Sequence, residues 1–234
     1  MPDTTEETFA AKLDLSSKIE SIASIVLAVA VVLTAWAAFQ AGKWGGEQSI
    51  QFSVAGASRT ESARADTRGG QLAQIDVSMF TDFVGAYFED VESGDIEPYD
   101  GTAFASTPNT FSAFLYLRFR DEFRPAMDAW LATDPGGNPD APATPFGMAE
   151  YQVAEFAEAE RLVAVADQAA VDARAANQTG DNYVLTAVLF AAVLFFSGIA
   201  SKLENRWNRH FVNLVGIIGV VAGAIILINL PIML

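Results

Sequence analysis

Apolar positions along this chain are bunched rather than periodic, and most of them fall in three uncharged runs. The first lies between Glu20 and Lys43, the second between Asp181 and Lys202, and the third runs from Phe211 to Leu234. A bilayer core about 30 Å thick is crossed by roughly 20 helical residues. Each run meets that length, so transmembrane helices are predicted at 21–42, 182–201 and 211–234. In the first run Ala35-Trp36-Ala37 has the small-x-small form of a signal-peptidase site after Lys12 and Lys18. Its apolar part is too long for a signal-peptide core, which predicts an uncleaved span.

Outside these runs the pattern changes to a helical one. From Glu47 to Arg68 small residues dominate, among them Ser49, Ser53, Ala55, Gly56, Ala57, Ser58, Ser62 and Ala65. From Met148 to Asn177 there is neither Pro nor Gly; Ala, Glu, Gln and Arg favour a helix, and only Gly180 interrupts before the second uncharged run. Small faces on both segments allow close packing, so 47–68 and 147–180 are predicted to pair as an antiparallel stalk. With both strands leaving the membrane together, Arg59 should face the region of Asp167, Arg64 that of Glu158 and Glu160, and Arg68 that of Glu155.

After Gly69-Gly70, Leu72, Ile75, Met79, Phe80, Phe83, Tyr87, Phe88 and Val91 recur at i, i+3, i+4, i+7 spacing, which predicts an amphipathic helix with an aromatic face. Its cover is expected in 110–131, where Phe111, Phe114, Leu115, Phe119, Phe123, Met127 and Trp130 are similarly spaced and Pro125 should either start a new turn or kink the helix. Residues 71–146 thus form a distal head, with loops at 93–109 and in the Pro- and Gly-rich 133–146. The fold class is an all-α integral membrane protein with three transmembrane helices and a long extracytoplasmic antiparallel helical hairpin.

Charge orients this arrangement. The short loop 202–210 carries Lys202, Arg206 and Arg209, which predicts a cytoplasmic location. The N-terminal tail 1–20, expected to be loosely ordered, is then cytoplasmic too, with 43–181 and Leu234 on the outer side. Of the net charge of −15, the segment after Gly42 through Asp181 holds −14, from 9 basic and 23 acidic residues. Nothing there could neutralise phosphates, so a nucleic-acid partner is excluded.

Candidate chemistry is sparse. The chain has no Cys, and its one histidine, His210, falls in the basic loop across the membrane from the large domain. Neither a thiolate nor a Ser-His-Asp triad is available there. No phosphate-binding loop, dinucleotide fingerprint or metalloprotease motif occurs. No catalytic residue, cofactor or metal ligand is therefore assigned, and the protein is expected to be no enzyme. The acidic run Glu89, Asp90, Glu92, Asp95, Glu97, Asp100 offers oxygen ligands of the kind Ca²⁺ takes, but lacks EF-hand spacing and is expected to be a solvated loop.

Two polar or small-residue sets remain. Gln40, Lys43, Asn177, Gln178, Asp181 and Asn182 cluster at the outer membrane boundary. They either hydrogen-bond across the base of the stalk, with Lys43 paired to Asp181, or line a pore mouth in a symmetric oligomer. Gly216, Gly219 and Gly223 form a small-residue face on the third span that should pack on another span, in the same chain or in a second copy.

The run from Ala35-Trp36 through Phe39-Gln40-Ala41 to Trp44-Gly45-Gly46-Glu47-Gln48 resembles a group of bacterial three-span membrane proteins with a long extracytoplasmic helical segment. So do Asn138-Pro139-Asp140-Ala141-Pro142 with Pro145-Phe146 and Tyr151, and Asp181-Asn182-Tyr183. The resemblance implies a bacterial inner membrane and the same topology, and assigns no activity or site. The partners expected are the lipid bilayer, further copies of the chain, and a membrane or extracytoplasmic protein. The expected role is an oligomeric scaffold or accessory subunit. The alternatives are a homo-oligomeric cation channel with an acidic vestibule and a sensor that binds a ligand at the distal head.

Overall fold

The computed structural model describes residues 4–98, 109–200, 202–203 and 205–234, with side chains from Ser21 onward apart from those of residues 22, 23 and 206. The side chains of Phe9, Leu13 and Leu15 and all of Asp100 lie outside the described residues. Among the described residues five α-helices follow one another: α1 (Thr4–Ser93), α2 (Phe111–Tyr116), α3 (Arg124–Leu131), α4 (Ala154–Ala200) and α5 (Arg206–Asn229), with a 3₁₀ turn at Pro145–Gly147 before α4. Among the described residues there is no strand. Apolar windows in α1, α4 and α5 are each long and apolar enough to cross a membrane.

Helix α1 takes in the segment expected to be a loose tail and passes through both Gly-Gly pairs without a break. With no Pro between Thr4 and Ser93, every N–H in it can donate, and a single glycine costs only about 1 kcal/mol against alanine. It stops at Gly94, whose φ of +80° suits a residue without a Cβ. The N–H of Gly94 donates to Val91 O at 3.1 Å and that of Asp95 to Asp90 O at 2.9 Å, a Schellman closure of the last turn.

The chain divides into two compact units, residues 1–55 with 168–234 and residues 56–167. In the first, Ala30, Ala37, Tyr183, Phe190, Val193, Val220 and Leu227 form a buried apolar core from α1, α4 and α5, and Ala55 meets Ala169 and Ala170 in a second cluster. Trp44 Cβ and Ala41 O lie 3.6 and 3.7 Å from where a Cβ on Gly180 would sit, so that glycine marks a close helix approach rather than an interruption.

In the second unit Gly69 is buried under Phe156, whose ring carbons lie 2.8 Å from the position of an added Cβ. Ser62 Oγ donates to Ala159 O at 2.9 Å, and Arg59 meets Asp167 at 3.4 Å as expected. The other two expected cross-pairs do not form. Arg64 takes Glu61 and Glu158 takes Arg161, each three residues away on its own helix, where the partner is already in place.

The expected cover 110–131 is two short helices rather than one kinked helix. Thr110 Oγ1 caps α2 by accepting from Ala113 N, and Pro125 falls in the first turn of α3, where its missing N–H costs nothing. Their apolar faces meet α1 in a core of Phe83, Ala86, Leu115, Phe119, Phe123, Ala126, Met127, Trp130 and Leu131. Phe123 stacks on Phe146 at 5.5 Å with 8° between planes, and edge contacts from Phe119 and Tyr151 close the aromatic cluster. Because Phe146, Met148 and Tyr151 are drawn onto this core, α4 starts at Ala154 instead of Met148.

Candidate functional site

In each unit a fully buried polar side chain, Gln40 in the first and Asp76 in the second, anchors a set of hydrogen bonds. In the first unit, α5 ends at Asn229 and Pro231 prevents the helix from resuming. The backbone of 231–233, outside any helix, is then bound by side chains from α1 and α4. Gln40 is fully buried, and its amide pairs with the backbone of Met233 in both directions: Nε2 donates to Met233 O and Oε1 accepts from Met233 N, each at 3.0 Å. Trp44 Nε1 and Tyr183 Oη both donate to Pro231 O at 3.1 Å. A buried amide with its donor and acceptor both satisfied costs little, whereas one left unpaired would cost about 1–3 kcal/mol.

The boundary cluster read from the sequence is thus split. Gln40 serves the 231–233 segment. Asn177 and Asp181 pair with each other along α4, Nδ2 to Oδ2 at 3.0 Å, and the expected Lys43–Asp181 ion pair is not formed. Gln178 is exposed, and Asn182 is half-buried with its carbonyl accepting from Thr186 Oγ1 at 2.8 Å. Trp44 and Tyr183 were missed as partners of this segment, although each stood beside a residue already singled out.

The small-residue face of α5 is taken up within the chain. Added Cβ atoms at Gly216, Gly219 and Gly223 would lie 2.9 Å from Ser197 Oγ, 2.6 Å from Val193 Cγ2 and 2.5 Å from Phe190 Cε1. All three neighbours belong to α4, so this close packing joins α5 to α4.

In the second unit the carboxylate of Asp76, 1% exposed, sits on the apolar face of α1. Arg120, in the turn between α2 and α3, forks onto it with Nε 3.0 Å from Oδ1 and Nη2 2.8 Å from Oδ2, and Nη1 reaches Glu122 at 2.7 Å. Tyr151 Oη donates to Asp76 Oδ2 at 3.2 Å. The hydrogen bond to Asp76 is the main reason the Arg120 guanidinium holds its proton more tightly still. Burial, and then the nearby Asp76 charge, push the Tyr151 phenol up to about 12. Neither Asp76 nor Arg120 was singled out from the sequence.

The acidic run is used locally. Asp90 Oδ2 accepts Ser112 N at 2.8 Å, which ties the end of α1 to the start of α2, and Asp95 Oδ2 accepts from Ser93 Oγ at 2.9 Å. Among the described residues no three Asp, Glu or His side chains come together as a metal centre would require. His210 is exposed on α5 beside the stacked pair Trp207 and Phe211.

A cavity of about 780 Å³ opens beside the aromatic core, lined by α1 from Phe80 to Val91, by Pro98, by Trp130 and Leu131 of α3, and by the loop 134–143. Aromatic and aliphatic surface dominates it. Trp130 Nε1 donates to Pro142 O at 2.7 Å, and Asp134, with φ of +53°, holds the loop by accepting Gly137 N at 3.1 Å.

These features define an all-helical protein with three helices of membrane-spanning length and apolarity. Compared with protein-family models, with curated proteins and with solved structures, the chain shows no significant match to any.

Proposed function

We propose that this is a non-enzymatic membrane protein, a scaffold or accessory subunit held by three spans and presenting its acidic helical domain outside a bacterial inner membrane. The three uncharged helical runs and the basic residues at 202–209 support the anchoring and its orientation. The contacts Ala55 to Ala169, Arg59 to Asp167, Ser62 to Ala159 and Gly69 to Phe156 support an antiparallel pairing of α1 with α4 beyond the spans.

The observation that carries the scaffold reading is a row of large apolar side chains on and just after α2. Phe111, Phe114 and Leu117 are 58%, 47% and 61% exposed, in a segment that is not one of the apolar windows. Such a patch, with the Arg118 guanidinium 3.4 Å over the Phe114 ring, is the kind of feature a protein partner covers. With the α5 glycines already engaged by α4, this row is the better candidate for contact with a second copy or another subunit.

A cation channel is the weaker reading. Phe190, Tyr183 and Ala37 fill the space between the helices of one chain, so a conduit would have to run between copies. Native mass spectrometry of the protein in nanodiscs tests the proposal. More than one copy per disc, falling to one when Phe111, Phe114 and Leu117 are changed together to Ser, is the expected result. A monomer unaffected by those changes would remove self-association, and a ring of four or more that conducts cations in liposomes would replace the scaffold by the channel.

A further inference from the structure

We propose that a groove between α4 and α5 in the first unit seats one acyl chain of an outer-leaflet glycerophospholipid, whose ester carbonyl accepts a hydrogen bond from Asn182. The proposal rests on the reading that these two helices cross a bilayer. Asn182, Leu185, Thr186 and Leu189 of α4 line the groove, with Ile226 of α5 and Leu230 just beyond its end. The two helices run antiparallel here, since Gly223 lies against Phe190 and Gly216 against Ser197. Asn182 and Leu230 therefore share one end. The same end carries Tyr183 and Trp44, both bound to Pro231 O, and amphipathic rings of this kind sit at headgroup level.

Size selects the occupant. The groove holds about 370 Å³ and follows α4 from Asn182 to Leu189, a rise of about 10 Å, so its cross-section is roughly 40 Å². A helix of a second copy, about 10–12 Å across with its side chains, needs at least about twice that area. A methylene chain, whose carbons pack about 4 Å from their neighbours, fits. Polarity then sets the direction of the chain. Leu185 is 66% exposed and Ile226 44%, which leaves the walls as open apolar surface. Thr186, buried beneath them, donates its hydroxyl to Asn182 O at 2.8 Å and has no donor left for a ligand. The half-buried side-chain amide of Asn182 makes no hydrogen bond to any of the described residues. An unpaired amide where the hydrocarbon begins is costly, and a carbonyl leading into an apolar tail is its complement.

The test is native mass spectrometry of the full chain released from nanodiscs of 1-palmitoyl-2-oleoylphosphatidylglycerol, counting the lipids kept by each copy. One lipid per copy is expected to survive activation that strips the rest. Leu185→Trp, which lays a ring across the groove from a largely exposed position, should lower that retention about tenfold or more. Val188→Trp, comparably exposed on α4 but outside the lining, should leave it unchanged, and an unaltered helical melt in both variants checks their folding. Asn182→Leu should lower retention about three- to tenfold, the worth of one neutral hydrogen bond. The diether analogue of the same lipid, which lacks ester carbonyls, should lose as much in the parent and nothing further in Asn182→Leu. Equal retention in the parent and Leu185→Trp, or of ester and ether lipid in the parent, would overturn the assignment. A chain that enters nanodiscs and keeps no lipid would overturn the groove alone, whereas one that fails to enter would overturn the spans and the groove with them. A dimer lost in Leu185→Trp, with no lipid on the parent, would give the groove to a second copy instead.

Discussion

Arg120 closes a two-point fork on Asp76, and the two partners are unequally exposed: the arginine side chain is 22% accessible, the carboxylate 1%. Removing either one therefore has different consequences. Arg120→Ala strands a buried carboxylate with only the Tyr151 hydroxyl for company, and breaking a buried pair in this way costs about 3–5 kcal/mol. Asp76→Ala should cost less, because the freed guanidinium can turn to water and keep Glu122. Replacing both together, Asp76→Leu with Arg120→Met, should recover much of the loss, since no buried charge is left unpaired. Hydrogen exchange at the amides of α2 and α3 reads the difference. Equal acceleration in both single variants would mean that the unequal burial of the two partners does not set the cost, and no acceleration in either that the pair does not hold this unit.

Tyr151 adds a pH dependence with a definite sign. Its folded value of about 12 lies above the ordinary value of 10.0, so the neutral phenol is favoured by folding. That contribution is fully present below pH 10 and is lost as the pH rises from about 10 through 12. Compared with Tyr151→Phe, the parent should be more stable at pH 8 and converge on the variant in that window. Thermal melts of the two proteins at matched pH, taken as a difference, cancel the other tyrosines. A difference that stays constant to pH 12 would show that Tyr151 is not coupled to folding through its proton.

The three helices of membrane-spanning length and apolarity were legible because uncharged runs of about 20 residues carry a signal that tertiary contacts do not override. Pro125 left a new turn or a kink open, and the structure takes the first, with α3 beginning at Arg124. Reading Gly69-Gly70 and Gly180 as breaks failed for one physical reason: a glycine that admits a neighbouring helix looks, in sequence, like a glycine that ends one. Phe156 over Gly69 and Trp44 beside Gly180 become visible only in three dimensions. Asp76 did leave a trace, a lone carboxylate on the face shared by Leu72, Met79, Phe80 and Phe83, where a charge demands a partner. Nothing local identified that partner as Arg120, 44 residues away. Gln40 was singled out for the right property, polarity at a span end, but its partner Met233 is 193 residues distant.

The glycines of α1, α4 and α5 divide into those that face another helix and those that face open space. Gly223→Ala would drive a methyl group to within 2.5 Å of the Phe190 ring, and Gly219→Ala to 2.6 Å of Val193. Each should loosen α5 from α4 at a cost of about 1–3 kcal/mol, as overpacking does. Gly85→Ala meets nothing within 4 Å and should instead stabilise α1 by up to about 1 kcal/mol through helix propensity. Phe190→Leu combined with Gly223→Ala should restore part of the loss. Melting temperatures in detergent rank the four proteins, and a neutral Gly223→Ala would dissolve the close α4–α5 contact.

Gln40 gives the most direct readout, because the chain has no cysteine and a single one can be introduced without background. The amide of Gln40 holds Met233 by two hydrogen bonds of 3.0 Å, and Trp44 and Tyr183 hold Pro231 by one each. Gln40→Ala removes half of these bonds and leaves the Met233 backbone N–H and carbonyl without their partner. A cysteine replacing Met233, which is half-buried, should react slowly with a water-soluble maleimide in the parent background and at least several-fold faster beside Gln40→Ala. Gln40→Glu should fall between the two, since a carboxylate keeps the acceptor for Met233 N but loses the donor for Met233 O. Raising the pH should widen the gap between Glu and Gln, because the ionised side chain repels the carbonyl it replaces a donor to. Identical labelling rates in all three backgrounds would show that residues 231–233 are held by Pro231 alone, through Trp44 and Tyr183.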